Sequence, residues 1–485
     1  MKLKLLFALL FVTISNAQTQ IGQDINGDIL NGRSGTSISL SADGNTVAIG
    51  TITSNSNTSY FGFVKVYENI SGVWAQIGTN IYGKSSDDNN GESVSISDNG
   101  KRVIMGAPRA KLNGTEVGHA QVYENISGVW TQVGQDIYGT TLYESLGKNV
   151  YISGDGLTIA VSTKATINGT FGAGSVIIYE YLAGTWVQKG QIITGNLQYE
   201  NFGHSLSLSK NGNIIAVGAP GSSGNGYQSG RVRIFEYKNN SWSQIGYYID
   251  GVVSDAKNGS SISLSDDGNI IAIATRNYKN VDMLGSVRVF KNTNNVWTKM
   301  GQEIFINSAI INNSYLTVSL SENGMILAIG APVNINDYSN TKGTVHIYQY
   351  YLNNWTQVGS DIEGMSVGDQ NGFSLSISNN GSKVAIGAPQ YGDGYARIYD
   401  LTNILSSDTF VLENFNIYPN PTTDILNIEL KENLTLEKVL IYNTTGQLVK
   451  ETAENKINVS GFAKGIYNVQ VLTNQGKATK KVIVK

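Results

Sequence analysis

The chain writes one stretch seven times. An Asp-Gly or Asn-Gly pair ends at Gly44, Gly100, Gly156, Gly212, Gly268, Gly324 and Gly381, so successive pairs are 56, 56, 56, 56, 56 and 57 residues apart. The six tryptophans, Trp74, Trp130, Trp186, Trp242, Trp297 and Trp355, keep nearly the same beat. A fixed period of this length marks stacked supersecondary units, each too small to bury its apolar face alone.

Within one unit, the run Trp186 to Ile192 reads as a strand. Phe202 to Ser209 alternates apolar and small polar residues, Ile214 to Pro220 is almost continuously apolar, and Val232 to Tyr237 alternates again. Period-two alternation bounded by turn residues signals strands. Asn211-Gly212 and its six equivalents suit two-residue hairpins of type I′, which need positive φ at both central positions. The serine-rich strand (Ser37, Ser39 and Ser41 in the first copy) is placed innermost, because small side chains suit the crowded centre of a radial array. The expected fold is all-β: seven four-stranded sheets around an axis, a seven-bladed β-propeller. An open solenoid would want atypical capping repeats. The ends instead look complementary, since the last copy stops at Tyr399 without a Trp strand and Thr19 to Ile25 repeats the wording of that missing strand. Pairing it with the last copy would remove two open sheet edges.

The 485 residues carry a formal charge of −3, with 15% charged residues. The basic surplus of a nucleic-acid binder is absent. Lys2, Lys4, the apolar run Leu5 to Ile14 and the small residues Ser15-Asn16-Ala17 read as a signal peptide over 1–17, with Gln18 as the mature N-terminus. No other run is long enough for a membrane helix. Cysteine is absent, which excludes disulfides, thiolate metal sites and a Cys nucleophile. A monomer is expected.

Phe202-Gly203, the Gly-Ala-Pro words at 106–108, 218–220, 330–332 and 387–389, and Val232-Arg233-Ile234-Phe235 resemble the FG-GAP repeat family, whose propellers also occur in integrin α-subunits. The resemblance covers about residues 19–400 and implies a propeller spanning 18–400. Many such repeats carry an Asp-rich calcium loop. Here that loop is only Ser-x-Asp/Asn-Gly, as in Ser265-Asp266-Asp267-Gly268. A hard cation wants six or more oxygen ligands, so no metal and no cofactor are expected.

Residues 401–413 read as a linker, after which lysines gather and tryptophans stop. Short strand-like runs from Ile425 to Leu472 suggest a small β-sandwich over 414–485. Tyr418-Pro419-Asn420-Pro421, Tyr442-Asn443-Thr444-Thr445-Gly446-Gln447, Gly465-Ile466-Tyr467-Asn468-Val469 and the terminal Lys480 to Lys485 resemble the type A C-terminal sorting domain of the Bacteroidetes type IX secretion system. The resemblance implies the secretion machinery as a partner, passage through the outer membrane, removal of the domain, and attachment to the surface or release.

No nucleophile elbow, zinc-helix motif or phosphate loop is present. His119, His204 and His346 fall in different repeats, and the acids Asp87, Asp88, Glu144, Glu200, Asp255 and Asp369 read as solvated loop residues. Turns and strands repeat, while two loop sets vary, and both project on one face. One set joins consecutive blades. The other follows the Gly-Ala-Pro strand, as in Arg109 to Gly118 and Tyr278 to Gly285, and carries Arg109, Tyr227, Arg276, Tyr278 and Tyr338. Before the inner strands stand Thr36, Glu92, Lys148, His204, Ser260, Leu316 and Phe373. Glu92, Lys148 and His204 join the five loop residues as candidate ligand contacts around the axial mouth. The expected function is non-catalytic binding or adhesion at the cell surface, with a glycan or protein as ligand. The alternatives are an extracellular carbohydrate-active enzyme and a passive coat protein.

Overall fold

The structure, a computed structural model, describes residues 18–29, 32–53, 61–85, 87–164, 172–279, 282–306, 316–332, 342–351, 353–390, 392–402, 404–405, 411, 414–431, 434–444, 447–473 and 476–485. The protein is all-β. The repeats form seven antiparallel five-stranded sheets. In the fourth, Ser205–Leu208, Ile214–Ala219, Arg231–Lys238 and Ser241–Gln244 follow one another as a meander, and Ile249–Asp250 pairs back on the third strand.

That fifth strand corrects the four-strand reading. The run from Trp186 does not continue to Ile192. It splits into Thr185–Gln188 and Ile193–Thr194, both paired with Ser175–Leu182. The break falls at Gly190, whose φ is +73° and whose missing Cβ leaves room for the Trp242 ring of the next sheet. Trp242 Nε1 donates to the Lys189 carbonyl at 2.8 Å, and Gln191 brackets the Trp242 backbone through both its amide atoms. The tryptophans thus stitch each of the first six sheets to its predecessor, beginning with Trp74 on the Ile21 carbonyl and ending with Trp355 on that of Met300.

The Asp/Asn-Gly turns are not type I′. Only the glycine has positive φ, +64° at Gly44 and +67° at Gly212. Gly44 N–H closes a four-residue turn on the Ser41 carbonyl, and Ser41 N–H bonds the Thr46 carbonyl. The pattern is a four-residue loop built on a type I turn. Its cause is the preceding serine. Ser41 Oγ donates to Asp43 Oδ1 at 2.6 Å and accepts the Thr46 N–H, while Asp43 Oδ1 also accepts the Asn45 N–H. The same tie recurs at Ser97–Asn99, Ser153–Asp155, Ser209–Asn211, Ser265–Asp267, Ser321–Asn323 and Ser378–Asn380. Asp and Asn alternate freely there because only an acceptor oxygen is needed.

The seven sheets close on themselves. The residue after each turn serine donates its N–H to the carbonyl of its counterpart in the next sheet: Ala42 to Asp98, on to Gly154, Lys210, Asp266, Glu322 and Asn379, and from Asn379 back to Ala42, at 2.7–3.0 Å. Inner-strand serines add a second ring of links. Ser39, Ser95, Ser207, Ser263, Ser319 and Ser376 each accept a backbone N–H from the following sheet. Serine is therefore more than a small residue here, since it joins the inner strands. In the seventh sheet, Thr19 and Gln20 pair with Asp400 and Tyr399, and Ile25 and Asn26 pair with Ala396 and Tyr395.

The stretch after Asp400 is partly folded onto the ring. Leu401 and Ile404 are buried with Val384, Ile386, Val345 and Ile347. At the other sheet joints a tryptophan ring lies against a glycine. At the seventh joint Gln18 and Ile404 lie against Gly359 instead. The C-terminal module has a three-stranded sheet (Phe415–Tyr418, Ile425–Leu430, Lys456–Asn458) and a four-stranded one (Leu448–Thr452, Leu436–Asn443, Gly465–Thr473, Gly476–Val484). Phe415, Leu426, Val439, Val471 and Val482 share its core.

Candidate functional site

The inner strands run from a loop face, where chain passes between sheets, to a turn face bearing the Asp/Asn-Gly turns. Between these faces lies an axial cavity of about 240 Å³, walled by inner-strand residues such as Ser39, Ser95, Ser207 and Ser263. Tyr151 stands where six other copies have serine. Burial pushes its hydroxyl up to about 12, with Asp266 and Asp98 adding to the shift and a hydrogen bond with Ser207 opposing it.

At the turn face the cavity meets a charged neck. Lys210 Nζ lies 3.0 Å from Asp98 and 3.3 Å from Asp266, and Asn379 donates to Asp266 at 3.1 Å. Burial works against the Lys210 charge, but its bonds to Asp98 and Asp266 hold its pKa above the usual lysine value. Burial raises Asp266, against the attraction of Lys210. Sequence reasoning missed this neck. The signal was available as the residue directly after each turn serine, one per repeat, but nothing in the sequence showed that these seven positions converge.

At the loop face Glu92, Lys148 and His204 precede consecutive inner strands. Lys148 pairs with Glu92, which also accepts from Asn89 Nδ2 at 3.0 Å. His204 is open to solvent, yet protein crowds it closely. That crowding, with repulsion from Lys148 and Lys257, lowers its pKa to about 4, so the ring is neutral at pH 7. Thr36 is tied to the Arg33 carbonyl, Phe373 is exposed, and Ser260 and Leu316 are buried, so the ring is not a uniform rim.

Arg109 lies 3.6 Å from Glu116, and Tyr227 is 67% exposed. Arg276 and Tyr278 correct an expectation. They are not loop residues but lie in the strand Ile270–Lys279, paired with Gly285 and Met283 of Asp282–Thr293. A long hairpin replaces the loop expected from Tyr278 to Gly285. Tyr338 lies outside the described residues.

The loop acids are a second correction. Asp88, Glu144, Glu200 and Asp369 are buried rather than solvated. Three of them collect backbone N–H groups of their own loop: Lys84, Ser85 and Asn90 on Asp88, Thr140 and Thr141 on Glu144, and Asn196 and Leu197 on Glu200, while Asp369 takes one, that of Ser366, together with the Tyr395 hydroxyl at 2.7 Å. Turn amides that would otherwise be orphaned explain why charge is tolerated there. Of the other histidines, His119 is buried against Gln121 and Tyr138, and burial lowers its pKa. His346 bonds Asp361 at 2.8 Å. Among the described residues no group of three or more His, Asp or Glu could hold a metal ion, and no helix is long and apolar enough to cross a membrane.

Residues 416–485 match the family described as Secretion system C-terminal sorting domain. The C-terminal module is such a domain, and the protein is exported to the cell surface or the medium. An ulvan lyase (NLR42) of Nonlabens ulvanivorans is 36% identical over 85 residues, and a β-agarase D of Zobellia galactanivorans is 35% identical over 74. The matches cover 16% and 15% of this chain and the same shares of those proteins. Among solved structures, a putative 6-phosphogluconolactonase from Bacteroides uniformis aligns with a TM-score of 0.47 at 11% identity, over 85% of this chain and 97% of that one. A periplasmic gluconolactonase of Pseudomonas aeruginosa aligns with a TM-score of 0.47 at 14% identity, over 90% and 98%.

Proposed function

We propose that the protein is a secreted, surface-displayed binding propeller without catalytic activity, whose ligand, a glycan or a protein, is held on the loop face. In this reading the seven sheets are the blades of an FG-GAP-like propeller spanning 18–400, completed by the N-terminal strand. The C-terminal sandwich is the export signal, recognised by the type IX machinery and then removed. The observation that carries the reading is the fate of the loop acids. Of the six loop acids that could serve a glycosidase or lyase, Asp88, Glu144, Glu200 and Asp369 are buried and accept hydrogen bonds from amides of their own loops, whereas Asp87 and Asp255 stay nearer the surface, apart from one another in different repeats. A general acid or base must reach the proton it transfers. The same loops are tied by these internal bonds and differ in chemistry from blade to blade, which suits recognition of an asymmetric ligand.

An extracellular carbohydrate-active enzyme is the second reading, favoured by the names of the two short-span relatives, an ulvan lyase and a β-agarase. One experiment separates the two. The exported protein is screened against polysaccharide and protein arrays, and the bound polysaccharide is then sized. Saturable binding with unchanged chain length supports the binding reading, and shortening of the polysaccharide supports the enzyme.

A further inference from the structure

We infer that Tyr143 and Tyr199, with Tyr227 in a further loop of the same face, form a stacking platform for a linear polysaccharide of pyranose rings. The inference rests on the binding reading above and names the ligand class and the contact residues.

Tyr143 and Tyr199 occupy the same position in two successive loops, the one entering the third inner strand (Val150–Ile152) and the one entering the fourth (Ser205–Leu208). Their φ angles are +60° and +63°. The equivalent residues in other repeats are Asp87, Asp255 and Gly368, at +64°, +61° and +87°. Glycine and aspartate enter this left-handed region readily, whereas a bulky aromatic residue there is strained. Each tyrosine is followed by a buried carboxylate, Glu144 or Glu200, that fastens the loop from beneath through two backbone N–H groups. Tyr143 N–H is also held by the Glu116 carbonyl at 2.7 Å. The loops are therefore held in the strained form.

The core gains little from that strain, because the tyrosines remain 57% and 58% exposed. Backbone strain that the surrounding structure maintains collects at functional sites. Tyr227, in the loop between Ile214–Ala219 and Arg231–Lys238, is 67% exposed, and its carbonyl accepts the Asp255 N–H at 2.8 Å. Tyr227 thus borders the next loop of the same kind, where Asp255 stands at the position of Tyr199.

The chemistry selects the occupant. A tyrosine offers a flat apolar face with a hydroxyl at its edge. A pyranose ring matches it with a C–H face and hydroxyls around its rim. Tyr143 and Tyr199 are one repeat step apart, and their loops carry both polar residues, Ser145, Asn196 and Asn201, and the exposed leucines Leu142 and Leu197. Rings set one repeat step apart, with polar residues among them, suit the spaced units of a polysaccharide better than the contiguous apolar core of a protein interface.

The test uses the exported protein and its double variant Tyr143→Asn/Tyr199→Asn, since asparagine tolerates left-handed φ. Tyr247→Ala, 91% exposed after the outermost strand of the fourth sheet, is the control. Binding to xylan, laminarin, alginate and pectin is measured by affinity electrophoresis, alongside a protein array and the melting temperature. The expected result is polysaccharide binding weakened about tenfold or more in the double variant and unchanged in the control. The melting temperature should be equal or higher in the double variant, because strain is relieved. Equal polysaccharide binding by the double variant overturns the site while leaving the binding reading in place. Binding to proteins alone overturns the ligand class. Binding to neither overturns the platform together with the binding reading.

Discussion

Arg397 and Asp24, 373 residues apart in the chain, face each other through two parallel hydrogen bonds, Nε to Oδ1 at 2.8 Å and Nη2 to Oδ2 at 2.9 Å. The pair ties the N-terminal strand to the last strand of the seventh sheet. It holds the Asp24 carboxyl below its usual range and raises the Arg397 guanidinium. Asp24→Asn and Arg397→Gln should each destabilise the fold by about 1–3 kcal/mol, the usual cost of breaking a charge-assisted bond. In a double-mutant cycle the two losses should not add. Additive losses in denaturant unfolding would mean that the pair does not lock the seam.

The seam has a second element. Ile404 is buried beside Gln18 at the joint where the other repeats use tryptophan. Ile404→Ala should cost about 2–5 kcal/mol, as for other large-to-small core changes. Truncation after Asp400 should lower the melting temperature well below that of a truncation after Leu405. Equal melting of the two truncations would show that 401–405 is a passive linker.

The seven Ser-x-Asp/Asn-Gly ties predict how the turns tolerate change. Asp155 accepts from Ser153 and from the Leu157 N–H through Oδ1 alone. Asp155→Asn should therefore be close to neutral, and Asp155→Ala should cost about 1 kcal/mol. Chelator should leave the melting temperature unchanged, because the turn oxygens already hold protein donors. A melting temperature that falls by many degrees in chelator would contradict this.

Acid should act in two stages. His204 and His119 bind protons less readily when folded than when unfolded, His204 down to about 4 from an ordinary 6.5. Between those values the unfolded chain binds more protons, so stability should fall as pH drops from 6.5 to about 4. Asp24, Asp43, Asp136 and Asp267 have lowered pKa values, so their contribution should be lost only below the ordinary 3.8. A His119→Gln/His204→Gln variant should flatten the first stage and leave the second. An unchanged pH profile of melting would show that neither histidine contributes.

The spacing of the glycines and tryptophans announced the repeat, and the wording shared by Gln20-Ile21-Gly22 and Gln76-Ile77-Gly78 pointed to the seam. What stayed hidden depends on partners one sheet away. The Ser39 hydroxyl meets the Ile96 N–H 57 residues on, and no local pattern records that. Asp88 and Glu144 looked solvated because sequence shows a charge but not the amides folded around it. The neck of Asp98, Lys210 and Asp266 was invisible for the same reason, since its members come from three different repeats.

The central claim is that this exported protein binds at its loop face and does not cleave. The most direct measurement titrates the exported protein against each polysaccharide or protein that it retains on an array, then follows the chain length of any bound polysaccharide through prolonged incubation. The account predicts saturable binding, with any bound polysaccharide unchanged in length. Shortening of the polysaccharide, or no saturable binding to any polysaccharide or protein, would contradict it.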